Sequence, residues 1–268
     1  MSAAPEAPLR IALLGYGRMG HEVERVALEE GHEIALRLDI DDNRDGAGIT
    51  PESFAGVDVA IDFSQPEAVP INIDKVSAVG TPMVVGTTGW SDRLDEMRAL
   101  VEKRDGALVY GANLSVGANL FFRLAAVAAE LFDPFADYDP YVIEHHHRHK
   151  LDAPSGTALH VAGLLLARSS RKTRVQAGNP EAAIDPEALH VASIRAGAAP
   201  GEHRVGFDSG ADSVELVHTA RSREGFARGA VLAAGWIVGK RGVFEFGEVL
   251  DAILEHEPAS STPVGRGR

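Results

Sequence analysis

The chain has 268 residues, 45% hydrophobic and 24% charged, which suits a packed core with an ordinary polar surface. Its 39 Asp and Glu against 26 Lys and Arg give a formal charge of −13, which argues against a nucleic-acid binder, since a phosphate backbone calls for a basic footprint. The absence of cysteine excludes disulfides, thiolate nucleophiles, iron–sulfur clusters and cysteine zinc sites, and no apolar run approaches the roughly 20 residues of a membrane span.

The opening MSAAPEAP lacks the basic and apolar regions of a secretory signal, so a cytoplasmic protein is expected. Arg10 to Gly15 (RIALLG) reads as a short strand running into a glycine turn. Residues 18–30 then show helical periodicity, with Met19, Val23, Val26 and Ala27 on one side and Gly31 as the stop. Further strands are expected at 33–39 (EIALRLD), 57–64 (VDVAIDFS), 81–86 (TPMVVG) and 107–113 (ALVYGAN), with helices between them and Ser91 capping one. Strands alternating with helices imply a doubly wound parallel sheet covered on both faces.

After about residue 115 the pattern changes. A helix is expected over 116–132, followed by YVIEHHHR, a turn and a helix from Ser155. HVASIRAG, GEHRVGFDSG and DSVELVHTA alternate and carry turn residues, as in an antiparallel sheet. Residues 223–240 return to a helical pattern, VFEFGEVLDAIL is expected to pack back onto the first domain, and the tail EPASSTPVGRGR reads as disordered.

Gly15-Tyr16-Gly17-Arg18-Met19-Gly20 matches G-x-G-x-x-G between a strand and a helix, the context in which that motif points to a dinucleotide. Gly15 permits the tight turn, Gly17 lets the backbone approach a pyrophosphate, and Gly20 allows close helix–strand packing. The helix start adds free amides and a positive dipole end. Asp39 ends the second strand, where an acidic residue receives the ribose hydroxyls. A carboxylate there repels a 2′-phosphate, and Ile40 follows it rather than a cation, so NADH is favoured over NADPH. Gly86-Thr87-Thr88-Gly89 and Gly111-Ala112-Asn113 follow the fourth and fifth strands, at the carboxyl ends where doubly wound sheets place ligands. The expected fold is α/β: a Rossmann-type dinucleotide-binding domain over 1–114, completed by 224–268, and a smaller α+β domain over 115–223 with a mixed or antiparallel sheet.

The densest chemistry lies in residues 144–157, EHHHRHKLDAPSGT. Four histidines in five residues raise a metal reading, but Arg148 and Lys150 are poor company for a dication, and no metal is expected. If the strand persisted, His145, His147 and His149 would share one face and Glu144, His146 and Lys150 the other. Pro154-Ser155-Gly156-Thr157 opens a helix whose amides and hydroxyls form an anion receptor beside those cations. Cations next to an anion-binding helix start, outside the nucleotide fold, describe a site for a carboxylate substrate.

Residues 144–158 fit E-x-H-H-R-H-K-x-D-A-P-S-G-T-A throughout, and this stretch resembles the signature of the 4-hydroxy-tetrahydrodipicolinate reductase family, long called dihydrodipicolinate reductases. GRMG, VDVAIDFS-x-P-E, GTTG, GANLSVGANL and SREGFARGAVLAAGW follow the same family's order, so the resemblance covers nearly the whole chain. It implies an NADH- or NADPH-dependent reductase of a small dicarboxylate heterocycle in the diaminopimelate route to lysine. It implies His146 as proton donor or acceptor and Lys150 as the second catalytic residue. His147, Ser155, Gly156 and Thr157 would hold substrate carboxylates; Gly15–Gly20, Asp39, Gly86–Thr88 and Gly111–Leu114 would line the cofactor. It also implies a homotetramer built through the second domain's sheet. Two departures stand out: GYGRMG is one residue shorter than the common G-x-x-G-R-M-G loop, and Asp39 lacks the usual basic neighbour. The rival readings are another amino-acid-pathway dehydrogenase on the same scaffold and a non-enzymatic NAD-responsive regulator.

Overall fold

The computed structural model describes residues 7–180 and 182–256. The first six residues and the tail 257–268, expected to be disordered, lie outside the described residues. The chain divides into two compact units, Met1–Leu114 with Phe226–Arg268, and Ser115–Gly225.

The first unit begins with β1 (Arg10–Leu14), α1 (Arg18–Glu29) and β2 (Glu33–Leu38), followed by β3 (Val59–Asp62), α2 (Val69–Ala78), β4 (Met83–Val85), α3 (Leu94–Lys103) and β5 (Ala107–Tyr110). β3, and β1 from Ile11 onwards, are unbroken buried runs, as parallel strands covered on both faces should be. α1 buries Gly20, Val23, Val26 and Ala27, while Met19 stays half-exposed, and it ends where Gly31 takes a left-handed φ of 86°. Ser91 is not the cap expected of it. A 3-10 turn over Ser91–Arg93 comes first, and α3 starts at Leu94 with no side-chain cap.

The second unit opens with α4 (Val116–Phe132), whose N-cap Ser115 accepts a hydrogen bond from the Ala118 amide at 3.3 Å. Ala118, Phe121, Phe122, Ala125 and Ala129 recur at helical spacing and fill one core with Val142, Leu189, Val205 and Phe207. β6 (Asp139–His146) alternates, sending Pro140, Val142, Glu144 and His146 inward. α5 (Gly156–Leu166), β7 (Arg174–Ala177), β8 (Ala188–Arg195), β9 (Glu202–Asp208) and β10 (Ser213–Thr219) complete the unit.

The strand order there is β10-β9-β6-β8-β7. β9 is antiparallel to both β6 and β10, whereas β8 is parallel to β6 and to β7. The sheet is therefore mixed rather than antiparallel throughout. The crossover helix α5 returns the chain in the parallel sense. The outlying β7 was not expected, because RVQA is only four residues long and mostly exposed, too short for its alternation to stand out.

The chain then returns to the first unit through α6 (Glu224–Ile237), β11 (Gly242–Glu245) and α7 (Phe246–His256). β11 pairs in parallel with β5 and extends the six-stranded order to β11-β5-β4-β3-β1-β2. That order reverses between β1 and β3, the switch point outside which open parallel sheets bind ligands. No helix among the described residues is long and apolar enough to cross a membrane.

Candidate active site

In the first unit the glycine loop sits at that switch point. A Cβ on Gly15, whose φ is 84°, would stand 2.5 Å from the Phe63 carbonyl oxygen, and one on Gly20 would run into the Gly15 carbonyl. Gly17 has open space on its outer side and provides no side-chain cap for α1. The first amides of α1 therefore point out over an exposed glycine, the cradle a pyrophosphate needs. The loop fits a dinucleotide. Asp39 follows β2 directly and accepts the Tyr16 amide at 3.2 Å; Arg18 is exposed and Met19 half-exposed.

Gly86–Thr88 and Gly111–Asn113 do follow the ends of β4 and β5. Thr88 and Ala112 are exposed there. Leu114 is 1% exposed, and its side chain packs against Gly86 and Gly111, so it supports these turns from beneath. The Thr87 hydroxyl donates to Asp62 at 2.9 Å. Asp62 is fully buried and also accepts from the Ser64 amide, the Ser64 hydroxyl and Asn72 Nδ2 at 2.7–2.8 Å. Burial pushes its carboxyl pKa up, and those donors oppose the shift. Asp62 was not singled out in the sequence, yet it ties the turn after β3 to the turn after β4.

In the second unit β6 ends at His146, and residues after it turn away. The extended-strand alternation therefore stops there: Glu144 and His146 share the inner face, His145 the outer, and Lys150 belongs to the turn. The His147 amide donates to the Ala199 carbonyl at 2.9 Å, so the turn is laced to the loop between β8 and β9. Arg148 and His149 are exposed. Gly201 in that loop is required by close approach, since a Cβ there would lie 2.9 Å from His146 Nε2.

His146 Nδ1 is in contact with Glu144 Oε2. The other oxygen of Glu144 accepts from Arg195 Nη2 at 2.6 Å and from the Ser155 amide at 3.1 Å. Desolvation is the largest single influence on this 0% exposed carboxylate and pushes its pKa up. Arg195, Ser193, the Ser155 amide and His146 together outweigh it and hold the pKa at about 2. Burial lowers the pKa of His146; Glu144 pulls it back up, and the Lys150 and Arg195 cations add to the lowering but contribute less than burial. A proton fixed on Nδ1 by Glu144 leaves Nε2 as the exchanging atom.

Ser155 is buried, and its hydroxyl caps α5 by accepting from the Ala158 amide at 3.1 Å, with His203 Nε2 at 3.3 Å. Both its polar groups are thus committed inward. The anion-facing part of the helix start reduces to Gly156, which is exposed, and Thr157, which is half-buried. An acidic side chain of the chain itself already uses this receptor. Asp152 Oδ1 sits 2.8 Å from Lys150 Nζ, and its pKa is lowered first by Lys150, with the Gly156 amide also contributing. Arg195 Nη2 also holds the Asp152 carbonyl at 2.6 Å, tying this turn to Glu144.

The model of the N-terminal half of dihydrodipicolinate reductases matches residues 9–114, and that of the C-terminal half matches residues 117–250. The chain belongs to the dihydrodipicolinate reductase family. It is 38% identical to the 4-hydroxy-tetrahydrodipicolinate reductase of Christiangramia forsetii over 92% of this chain and all of the relative. It is 34% identical to that of Thiobacillus denitrificans over 90% of this chain and 98% of the relative. A solved dihydrodipicolinate reductase from Paenisporosarcina sp. TG-14, with dipicolinate bound, shares the fold at a TM-score of 0.73, with 23% identity, over 90% of this chain and 99% of that one. The family expected from residues 144–158 is therefore the family found, and the chain is an oxidoreductase.

Within the family site, sequence reasoning missed Arg195, His203 and the inward role of Glu144. β8 pairs Ser193 with Glu144 and Arg195 with His146, and β9 sets His203 opposite Glu144. Glu144, His146 and His203 bring three metal-type ligand atoms within 4.8 Å of one another. One Glu144 oxygen, however, already accepts from Arg195 and Ser155, the other lies against His146 Nδ1, and two cations stand by, so the chemistry favours a hydrogen-bonded network.

His203 is held neutral, its pKa brought to about 4 mainly by burial, with His146, His218 and Lys150 adding and Glu144 opposing. Its pKa in the unfolded chain is higher, so the unfolded state takes up the proton first and stability falls as pH drops from 6.5 towards 4. Unfolding by urea should show a loss of about 2 kcal/mol from this group between pH 7 and pH 5. His203→Gln should remove that share of the slope. An unchanged slope in the variant would show that His203 is not kept neutral.

Proposed function

We propose that the chain reduces 4-hydroxy-tetrahydrodipicolinate to tetrahydrodipicolinate with NADH or NADPH, in the diaminopimelate route to lysine. The observation that carries this reading is the Asp152 carboxylate held by Lys150 and the α5 start, beside a buried imidazole whose Nδ1 is fixed by Glu144. A receptor that holds a carboxylate next to a proton-transferring nitrogen suits an unsaturated ring dicarboxylate. Gly15, Tyr16, Gly17, Arg18, Met19, Gly20 and Asp39 would hold the dinucleotide, with Gly86, Thr87, Thr88, Gly111, Ala112 and Asn113 at its nicotinamide end, supported by Leu114.

A bound nicotinamide dinucleotide would supply the hydride, delivered to ring carbon 4 after the 4-hydroxy precursor loses water. Lys150 offers its ammonium to the developing negative charge, and His146 gives a proton from Nε2 to the other end of the conjugated system. Overall the substrate gains one hydride and one proton and releases one water. Gly156, Thr157 and His147 bind carboxylates and align the ring, while Ser155 builds the helix start from within. A dianionic ring beside His146 raises the low pKa that burial imposes, loading the proton when substrate is present.

NADH is the preferred cofactor in this reading, because Asp39, Asp41 and Asp42 cluster after β2 and Ile40 supplies no cation. Assembly as a homotetramer through the second sheet belongs to the same reading. It is supported by Ile194 and Val217, which are 48% and 49% exposed on the sheet's outer face. The deciding experiment follows nicotinamide absorbance while substrate is generated in situ from pyruvate and aspartate semialdehyde. Oxidation that depends on the condensation product is the expected result. NADH binding without such oxidation would transfer the reading to a related dehydrogenase or a sensor.

A further inference from the structure

Arg37 lies on β2 two residues before Asp39, and both touch Tyr16, whose amide donates to Asp39 and whose ring lies under the Arg37 guanidinium. The guanidinium is already engaged. Its Nη2 donates to Glu24 Oε1 at 2.7 Å and its Nε to Glu24 Oε2 at 2.9 Å, a two-pronged pairing with a carboxylate carried by α1. The hydroxyl of Tyr16, from the glycine loop, donates to the same Glu24 Oε2. Arg37 also lies over the Tyr16 ring, 5.8 Å from its centroid, and Tyr16 stacks on His21 at 4.1 Å. The pairing with Arg37 holds Glu24 at a pKa of about 2 despite partial burial. Glu24 therefore stays ionised at any working pH and keeps the fork closed.

Resting on the reading that this loop and Asp39 bind a dinucleotide, we infer that Glu24 is a specificity-determining residue, acting by sequestering Arg37. A 2′-phosphate would meet Asp39, Asp41 and Asp42 with the Arg37 cation already neutralised by a partner behind it. A guanidinium is the side chain best shaped for phosphate, and Arg37 is two residues from Asp39. Removing the Glu24 charge deletes one repulsive group and frees that cation at the same stroke. The chain thus carries its own latent phosphate receptor, held off by one carboxylate.

The test uses wild type, Glu24→Gln, Arg37→Ala and the double variant, each titrated with 2′,5′-ADP and 5′-AMP by calorimetry and assayed with NADPH and NADH. Glu24→Gln should raise the preference for the 2′-phosphorylated member of each pair by about tenfold. Arg37→Ala alone should leave the ratio within about twofold, and adding it to Glu24→Gln should cancel the gain. Glu24→Ala serves as a second route to the same loss of charge if the glutamine variant folds poorly, with melting curves as the check. An unchanged ratio in a folded, nucleotide-binding Glu24 variant overturns the inference. A gain that survives Arg37→Ala also overturns it, since another cation such as Arg18 or Arg44 would then be responsible. Wild type that binds neither nucleotide would instead remove the dinucleotide reading on which it rests.

Discussion

Replacing Lys150 by alanine is expected to lower turnover by about two to four orders of magnitude while nucleotide binding stays intact. Lys150 belongs to the second unit, whereas the glycine loop and Asp39 belong to the first, so its removal leaves the nucleotide-binding groups untouched. Nor should the fold suffer. Its ion pair with Asp152 is a partly exposed contact, the aspartate side chain being 55% exposed, and such pairs contribute only about 0–1 kcal/mol. What is lost is the ammonium that faces a carboxylate in the resting protein and the developing charge in the reaction. Steady-state rates with in situ substrate, beside a fluorescence titration with NADH, give both readouts on one preparation. Wild-type turnover in Lys150→Ala would remove it from the chemistry, and lost NADH binding would mean the two units had been assigned the wrong tasks.

The parts of this molecule that the sequence discloses are those whose signal is local. RIALL followed by GYGRMG carries a buried strand, a positive-φ glycine and an uncapped helix start within eleven residues, and each appears where it is expected. The helix over 116–132 was equally open to reading, because Ser115, the apolar spacing and the helix end lie in one continuous stretch. Arg195 and His203 are different. They reach Glu144 and Ser155 across 51 and 48 residues, through a register that alternation cannot supply. Alternation says that Ser193 and Arg195 share a face; only the pairing of β8 with β6 says that they flank Glu144 and His146. The Glu24–Arg37 pairing escapes for the same reason, since it joins a helix to a strand through packing. His146 and Lys150 were legible through the family signature, but the carboxylate beneath His146 appeared in that signature only as its first letter.

That carboxylate leads to the second large effect. In Glu144→Gln the side chain keeps its size and loses its charge, so His146 loses the one neighbour that raises its pKa, while burial, Lys150 and Arg195 all continue to lower it. His146 in the variant should titrate below its wild-type value, and the protonated form needed at Nε2 should become scarcer at neutral pH. Turnover should fall accordingly, with the pH–rate profile moved to lower pH. Arg195 is also left facing an amide, and breaking a buried pair costs about 3–5 kcal/mol, so the variant should be markedly less stable at pH 7. The acid side supplies an independent sign. Glu144 titrates at about 2 when folded and at 4.5 in the reference state, so it stabilises the fold above pH 4.5 and that contribution is lost as pH falls towards 2. The glutamine variant should lack this loss. Ring-proton NMR across a pH series reads His146 directly, and Glu144→Asp, which restores the charge, should recover part of the shift if glutamine leaves too little folded protein. A His146 titration that is the same in wild type and in a folded Glu144→Gln would mean that Glu144 holds Arg195 and the α5 start together without setting the protonation of the imidazole above it.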